Sequence, residues 1–194
     1  MPQDVLNGVQ TVVFDLDGTL YDKHGLAHRM VRRLWWCLPL MAVDRLARGR
    51  WWRWIVATRW HRRIYLPTMV ELIRTTCPLR PEAMALLKEA KTRGLTLAVY
   101  SDYGCIKEKL QALHIDPNQF DLLIDAPSLG ARKPSEQAAR QVMSRLKAAP
   151  SSTLFVGDRE DTDGASAKCV GARFHLVGKM TVEVDSGRTA LGSL

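Results

Sequence analysis

The stretch Thr11-Val-Val-Phe-Asp-Leu-Asp-Gly-Thr19 decides how the rest of the chain is read. Residues 11–14 form a short β-rich run, and the polar Asp15-Leu-Asp17-Gly18 that follows is turn chemistry. Gly18 permits a bend tight enough to expose two carboxylates, two residues apart, above the end of that strand. Farther along, strands are expected at 96–100, 122–124, 153–156 and 172–176. They alternate with helices at 81–93, 105–113, 135–146 and 163–170. The first of these helices has Pro81 in its first turn, Leu86, Leu87 and Ala90 on an apolar face, and Gly94 as its stop. Regular β–α alternation with Leu-, Val- and Phe-rich strands predicts an α/β, Rossmann-like parallel sheet with helices on both faces. Sites in such folds lie at the carboxyl ends of the strands. The tail beyond residue 178 offers a short strand at 182–184 and no recognisable chemistry.

A chain of 194 residues has room for one medium domain carrying a small insert. Its 46% hydrophobic and 25% charged residues exclude an intrinsically disordered protein. Four scattered cysteines without a C-x-x-C pair point to reduced thiols rather than a disulfide frame or a zinc site. No basic-then-apolar leader opens the sequence. The longest uncharged apolar run, residues 34–43, contains Pro39 and is about half of a bilayer span. A soluble cytoplasmic protein is the expectation.

The net charge of +8 is unevenly placed. Residues 21–80 hold 13 Lys/Arg against 3 Asp/Glu, and all six tryptophans, while the remainder holds 15 basic and 17 acidic residues. A basic, Trp-rich insert of two or three helices therefore interrupts a near-neutral scaffold. On a helical wheel Trp51, Trp52, Trp54 and Trp60 spread around the circumference, so no clean amphipathic stripe emerges.

Four polar groups stand where strands end, and together they suit one chemistry. Asp15 and Asp17 supply a carboxylate able to attack phosphorus and a second able to move a proton. Ser101 ends the next strand, with a hydroxyl to hold a phosphate oxygen. Lys133, before Pro134 and a helix, supplies a fixed ammonium. Gly157-Asp158-Arg-Glu-Asp161-Thr-Asp163 adds carboxylates that, with Asp15, make an oxygen-rich site for a hard cation, and Mg²⁺ fits best. Alone, each has a plainer reading: an Asp-Gly turn, a strand-end serine, a surface lysine, a helix cap.

In order along the chain, Val13-Phe-Asp-Leu-Asp-Gly-Thr-Leu20, Tyr100-Ser-Asp102, Lys133-Pro134 and Val156-Gly-Asp-Arg-Glu-Asp-Thr-Asp163 resemble the four motifs of the haloacid dehalogenase-like hydrolase superfamily. The resemblance implies Asp15 as nucleophile and metal ligand, and Asp17 as general acid/base whose backbone carbonyl also meets the metal. It further implies Thr19, Ser101 and Lys133 as phosphate-binding residues and Asp158 as a direct Mg²⁺ ligand. Asp163, or else Asp161, would orient metal-bound water. An acid at Asp17 favours phosphate-ester chemistry over carbon–halogen or phosphorus–carbon cleavage. Asp102 departs from the pattern, standing where many relatives carry Asn and bringing negative charge near the phosphate pocket. Ser135 follows Lys-Pro where an acidic residue is common.

By the same resemblance, residues 1–20 and 78–194 are the hydrolase core, and 21–77 a helical cap. The expected activity is Mg²⁺-dependent hydrolysis of a small phosphorylated metabolite through an aspartyl-phosphate. Two alternatives accompany it: a phosphomutase, or a vestigial core whose basic cap docks on an anionic lipid membrane or another polyanion. Nucleic acid is not an expected partner, since no binding module is visible. Three readings of the cap's Trp/Arg mixture stand side by side. The tryptophans are its core and the arginines its wet face, or both line the pocket of a larger anionic substrate, or both form an interface. Cys105 is expected to be a buried, inert thiol, and His24, His28 and His61 structural or solvated.

Overall fold

The computed structural model describes residues 4–37 and 61–178. Five short strands, β1 (Thr11–Phe14), β2 (Thr96–Ser101), β3 (Leu122–Asp125), β4 (Thr153–Gly157) and β5 (Arg173–Leu176), form one sheet in the order β3-β2-β1-β4-β5. Every neighbouring pair is parallel, with Phe14 opposite both Val99 and Val156. This is the doubly wound α/β arrangement expected from the alternation, and β1 lies at its centre, where the strand order reverses.

Period-two alternation explains why both faces are covered. Val12, Phe14, Leu97, Val99, Leu154 and Val156 feed one buried cluster, while Val13, Ala98, Tyr100, Ile124 and Phe155 feed the other. The second face is sealed by helix α5 (Glu136–Leu146) through Ala138, Val142 and Met143, and by α6 (Ala165–Val170) through Ala167. The first is sealed by α3 (Pro81–Thr92) and α4 (Ile106–Ala112).

Helices α1 (Leu26–Arg33) and α2 (Leu66–Thr76) lie in the chain between β1 and β2. Their buried residues Leu26, Met30, Met69 and Ile73 join the same cluster as Leu16, Leu20 and Leu110, so apolar packing runs without a break across positions 20/21 and 77/78. The chain segments before α1 and after α2 also pair: Tyr21 bridges Leu79 in antiparallel fashion, the Asp22 N–H donates to the Pro78 carbonyl, and the Arg80 N–H donates to the Leu20 carbonyl.

Element boundaries differ from the sequence expectations where a local conformation intervenes. Cys105 sits in the left-handed region (φ 60°), so α4 begins one residue later. Ser135 is a cap, accepting from the Ala138 N–H, and α5 starts at Glu136. Residues 160–164 form a π-type turn, leaving α6 to start at Ala165. The strand expected at 182–184, and Trp51, Trp52, Trp54 and Trp60, lie outside the described residues. Among the described residues no helix is long and apolar enough to cross a membrane.

Candidate active site

Asp15 continues β1, its N–H donating to the Val156 carbonyl at 2.8 Å, so its carboxylate is delivered to the strand end by the sheet itself. That carboxylate is 8% exposed and held at both oxygens. Thr19 Oγ1 donates to Oδ2 at 3.0 Å, and Lys133 Nζ donates to Oδ1 at 2.7 Å. Lys133 reaches in from the loop before α5 and is fixed three ways, donating also to Asp163 Oδ1 (2.6 Å) and to the Tyr100 carbonyl (3.0 Å). Its own N–H donates to Asp102 Oδ1 at 2.8 Å. Lys133–Pro134 is a cis peptide.

Burial pushes the Asp15 carboxyl up to about 6; the Lys133 ammonium pulls against that, and the Asp163 charge adds to it. Asp163 is raised by burial as well, again opposed by Lys133. Burial alone would lower Lys133, but its two carboxylate partners outweigh that and keep it firmly cationic. One ammonium thus lies between two buried acids, an arrangement with affinity to spare for a further cation.

Asp17 is held by a separate set of donors. Lys109 Nζ reaches both its oxygens, at 2.8 and 2.9 Å, Ser101 Oγ donates to Oδ2 at 2.9 Å, and the Tyr21 hydroxyl donates to Oδ1. Lys109 is fully buried, an expensive placement for an ammonium unless it is paired. Burial, and then the Asp17 charge, push the Tyr21 phenol far above its ordinary range, so it remains a donor. Neither Lys109 nor Tyr21 is expected from the sequence motifs. A signal for Lys109 exists nonetheless: it sits at i+3 from Ile106 and just before Leu110, on the apolar stripe of α4, where a solvated lysine does not belong.

Asp15, Asp158 and Asp163 each offer a carboxylate oxygen, and these lie within 4.8 Å of one another. Opposite ligands of an octahedral Mg²⁺ stand roughly 4 Å apart, so a small adjustment would close the group on one ion. The donors are all hard oxygens, as Mg²⁺ prefers. Two glycines keep the space open. A Cβ on Gly18 (φ +104°) would lie 2.3 Å from Asp158 Oδ2, and one on Gly157 would lie 2.3 Å from Asp163 Cβ. Lys23 Nζ enters this region too, 3.0 Å from Asp158 Oδ2 and 2.5 Å from the Asp17 carbonyl.

The match of the haloacid dehalogenase-like hydrolase family model extends over residues 9–171 and takes in all four strand ends. The chain belongs to this family. Within it, the chain is 32% identical over 102 residues to a phosphoserine phosphatase of Thermus thermophilus (52% of this chain, 41% of the relative). It is 37% identical over 93 residues to a glyceraldehyde 3-phosphate phosphatase of Methanocaldococcus jannaschii (47% and 40%). The matched stretches thus span well under two thirds of either relative. Among solved structures, a HAD phosphatase from Thermococcus onnurineus superposes with a TM-score of 0.66 at 19% identity, covering 93% of this chain and 90% of that one, which is a likeness of fold.

Set against the motifs of the haloacid dehalogenase-like hydrolases, Asp15, Asp17, Thr19, Ser101, Lys133, Asp158 and Asp163 converge on one strand-end region. Asp161 does not join them: it is exposed and turned back on Arg159, two residues away in the same turn. The Thr19 and Ser101 hydroxyls face the carboxylates of Asp15 and Asp17. Asp102 accepts from the Lys133 backbone N–H, which orients its carboxylate while leaving its negative charge in the neighbourhood of the site.

Cys105 is half-buried rather than buried, because the left-handed turn before α4 lifts it from the core. Trp35 and Trp36 are 69% and 57% exposed, so these two are not part of an insertion core, while Arg32 and Arg33 are exposed as expected of a wet face. His24 and His28 are exposed, in line with the solvated reading; the His61 side chain and Trp60 lie outside what is described.

Proposed function

We propose that the chain is a Mg²⁺-dependent phosphatase that hydrolyses a small phosphomonoester through an aspartyl-phosphate on Asp15. The observation that carries this reading is the Asp15 carboxylate itself, buried at the end of β1, oriented by Thr19 and Lys133, and adjoining the Asp158 and Asp163 oxygens. Asp15, Asp158 and the Asp17 carbonyl would hold Mg²⁺, which supplies Lewis-acid neutralisation of phosphoryl charge.

An Asp15 oxygen attacks phosphorus and the ester P–O bond breaks. Asp17 gives its proton to the leaving oxygen, so the products of this half are the free alcohol, the Asp15 acyl phosphate and an Asp17 carboxylate. Water then attacks phosphorus, Asp17 takes its proton back, and inorganic phosphate leaves with the Asp15 carboxylate restored. Lys133 neutralises the transferring oxyanion while fixing the nucleophile, and Thr19 and Ser101 hold the phosphoryl oxygens and the two acids in register. Asp163 positions Lys133 and would orient water bound to the cation. Residues 21–77 act as a cap over the core at 1–20 and 78–194, excluding bulk water.

The phosphatase relatives support a phosphomonoester as substrate class. The test is phosphate release from a panel of phosphorylated metabolites with Mg²⁺ present. Release should cease in EDTA and in Asp15→Asn, and undiminished release by Asp15→Asn would overturn the assignment. A second role is supported by the exposed Trp35 and Trp36 next to Arg32 and Arg33: contact of this end of the insertion with an anionic lipid surface. Co-sedimentation with anionic and with neutral vesicles separates the two charges of lipid, and equal recovery with both would remove this role.

A further inference from the structure

Among the described residues, three lysines approach the acidic site, and they are not equivalent. Lys133 is 3% exposed at its side chain and has three fixed partners, and Lys109 is 0% exposed and shared by both Asp17 oxygens. Lys23 is different: its side chain is 41% exposed, and its ammonium lies 2.5 Å from the Asp17 carbonyl oxygen and 3.0 Å from Asp158 Oδ2. Those are two of the oxygens assigned above to Mg²⁺. The fit is close, since a Cβ on Gly18 would come within 2.6 Å of Lys23 Nζ and 2.3 Å of Asp158 Oδ2.

We propose that Lys23 is an internal rival of the divalent cation. Its ammonium neutralises the acidic cluster through the Asp17 carbonyl and Asp158, and metal loading requires it to withdraw. The physics is direct. Mg²⁺ takes oxygens at about 2.1 Å, so an ammonium held by the same two oxygens would stand well inside the repulsive range of a doubly charged ion. One of the two cations must leave. Lys23 can, because a four-carbon stem on a partly exposed residue at the start of the insertion has solvent to enter, whereas Lys133 and Lys109 are sealed in. The consequence is a threshold: the cation concentration that fills the site is set by what it takes to expel Lys23, not by the carboxylates alone. This inference rests on the metal-site reading of the proposed function.

The experiment uses the full chain, without substrate, and two neutral replacements, Lys23→Met and Lys23→Gln, so that a folding failure in one leaves the other. Mg²⁺ binding is measured by titration calorimetry in the parent, in both variants and in Asp158→Asn. Lys23 acetylation by an N-hydroxysuccinimide ester is followed by peptide mass mapping with and without saturating Mg²⁺. Binding about tenfold tighter in the neutral variants is expected, the worth of one charge-assisted contact removed from the competition. Acetylation of Lys23 in the parent should become several-fold faster once Mg²⁺ is bound. Equal or weaker Mg²⁺ binding in both neutral variants, or unchanged acetylation with Mg²⁺ bound, would overturn the rivalry. If Asp158→Asn alone abolishes binding in that case, the metal site stands and only the rivalry falls. Absence of Mg²⁺ binding in the parent and the neutral variants alike would take both down.

Discussion

An Asp15→Asn substitution keeps the side-chain outline and removes its charge, so it weighs directly the electrostatic burden of the proposed nucleophile. Burial raises the Asp15 carboxyl from 3.8 to about 6, with Lys133 opposing and Asp163 reinforcing the rise. The folded protein therefore binds this proton more tightly than the unfolded chain does. Stability associated with the group is fully present below about pH 4, declines as pH rises, and is gone above about pH 6. Each pH unit of displacement corresponds to 1.36 kcal/mol, so ionising Asp15 destabilises the fold by about 3 kcal/mol at pH 7.5. Asparagine is neutral throughout and can still accept from Lys133 and pair with the Thr19 hydroxyl. We expect the variant to be about 1–3 kcal/mol more stable than the parent at pH 7.5 in EDTA, with the gap closing towards pH 4. Urea unfolding at the two pH values reads this directly. Saturating Mg²⁺ should then stabilise the parent and leave the variant nearly unmoved. A variant no more stable than the parent at pH 7.5 would refute the reasoning, since the acidic cluster would then not be strained by its own charge.

Lys109→Met should destabilise the fold by about 3–5 kcal/mol, because it strands the Asp17 carboxylate in a buried site. Adding Asp17→Asn should recover most of that loss in a double-mutant cycle by chemical denaturation; simple additivity would contradict the pairing. Asp161→Ala should leave both turnover and melting temperature essentially unchanged, as its partner is the exposed Arg159. Asp163→Asn, which loosens Lys133, should lower kcat by at least tenfold in a phosphate-release assay; equal effects of the two substitutions would reverse the assignment. Gly157→Ala places a methyl 2.3 Å from Asp163 Cβ and should impair activity through displacement of that acid, measurable as weakened Mg²⁺ binding alongside reduced turnover.

The strands and the residues at their ends were legible because both depend on short-range pattern. A β-rich run followed by Asp-x-Asp-Gly fixes β1 and delivers Asp15, and the same logic places Ser101 and Asp158, while Lys133 is marked by the Pro and helix that follow it. What the sequence could not reveal is who faces whom across long separations. Lys109 and Asp17 are 92 residues apart, and only the packing of α4 against the sheet brings the ammonium to the carboxylate. Asp102 is likewise tied to a partner 31 residues on, the Lys133 backbone N–H, which no local pattern reveals. Asp161 and Asp163 share one acidic turn; the π-type geometry of residues 160–164 buries Asp163 at 4% exposure and leaves Asp161 in solvent. Residues two apart on a helical turn point to nearly opposite sides, so the divergence follows once residues 160–164 are helical. The helix expected from the sequence begins only at Asp163 and so leaves both acids open.

Tyr21 stands just before α1 and donates to Asp17, with its backbone bridged to Asp17 on one side and to Leu79 on the other. A lever arm is thereby bolted at its fulcrum to the residue proposed to transfer the proton. Any tilt of the α1–α2 pair about this stalk changes the angle at which the phenol meets Asp17, so the placement of these helices bears on that carboxylate through the Tyr21 ring, alongside the Lys23 contact with the Asp17 carbonyl. Alterations in the outlying helices should accordingly surface as changes in turnover even where they leave substrate affinity alone.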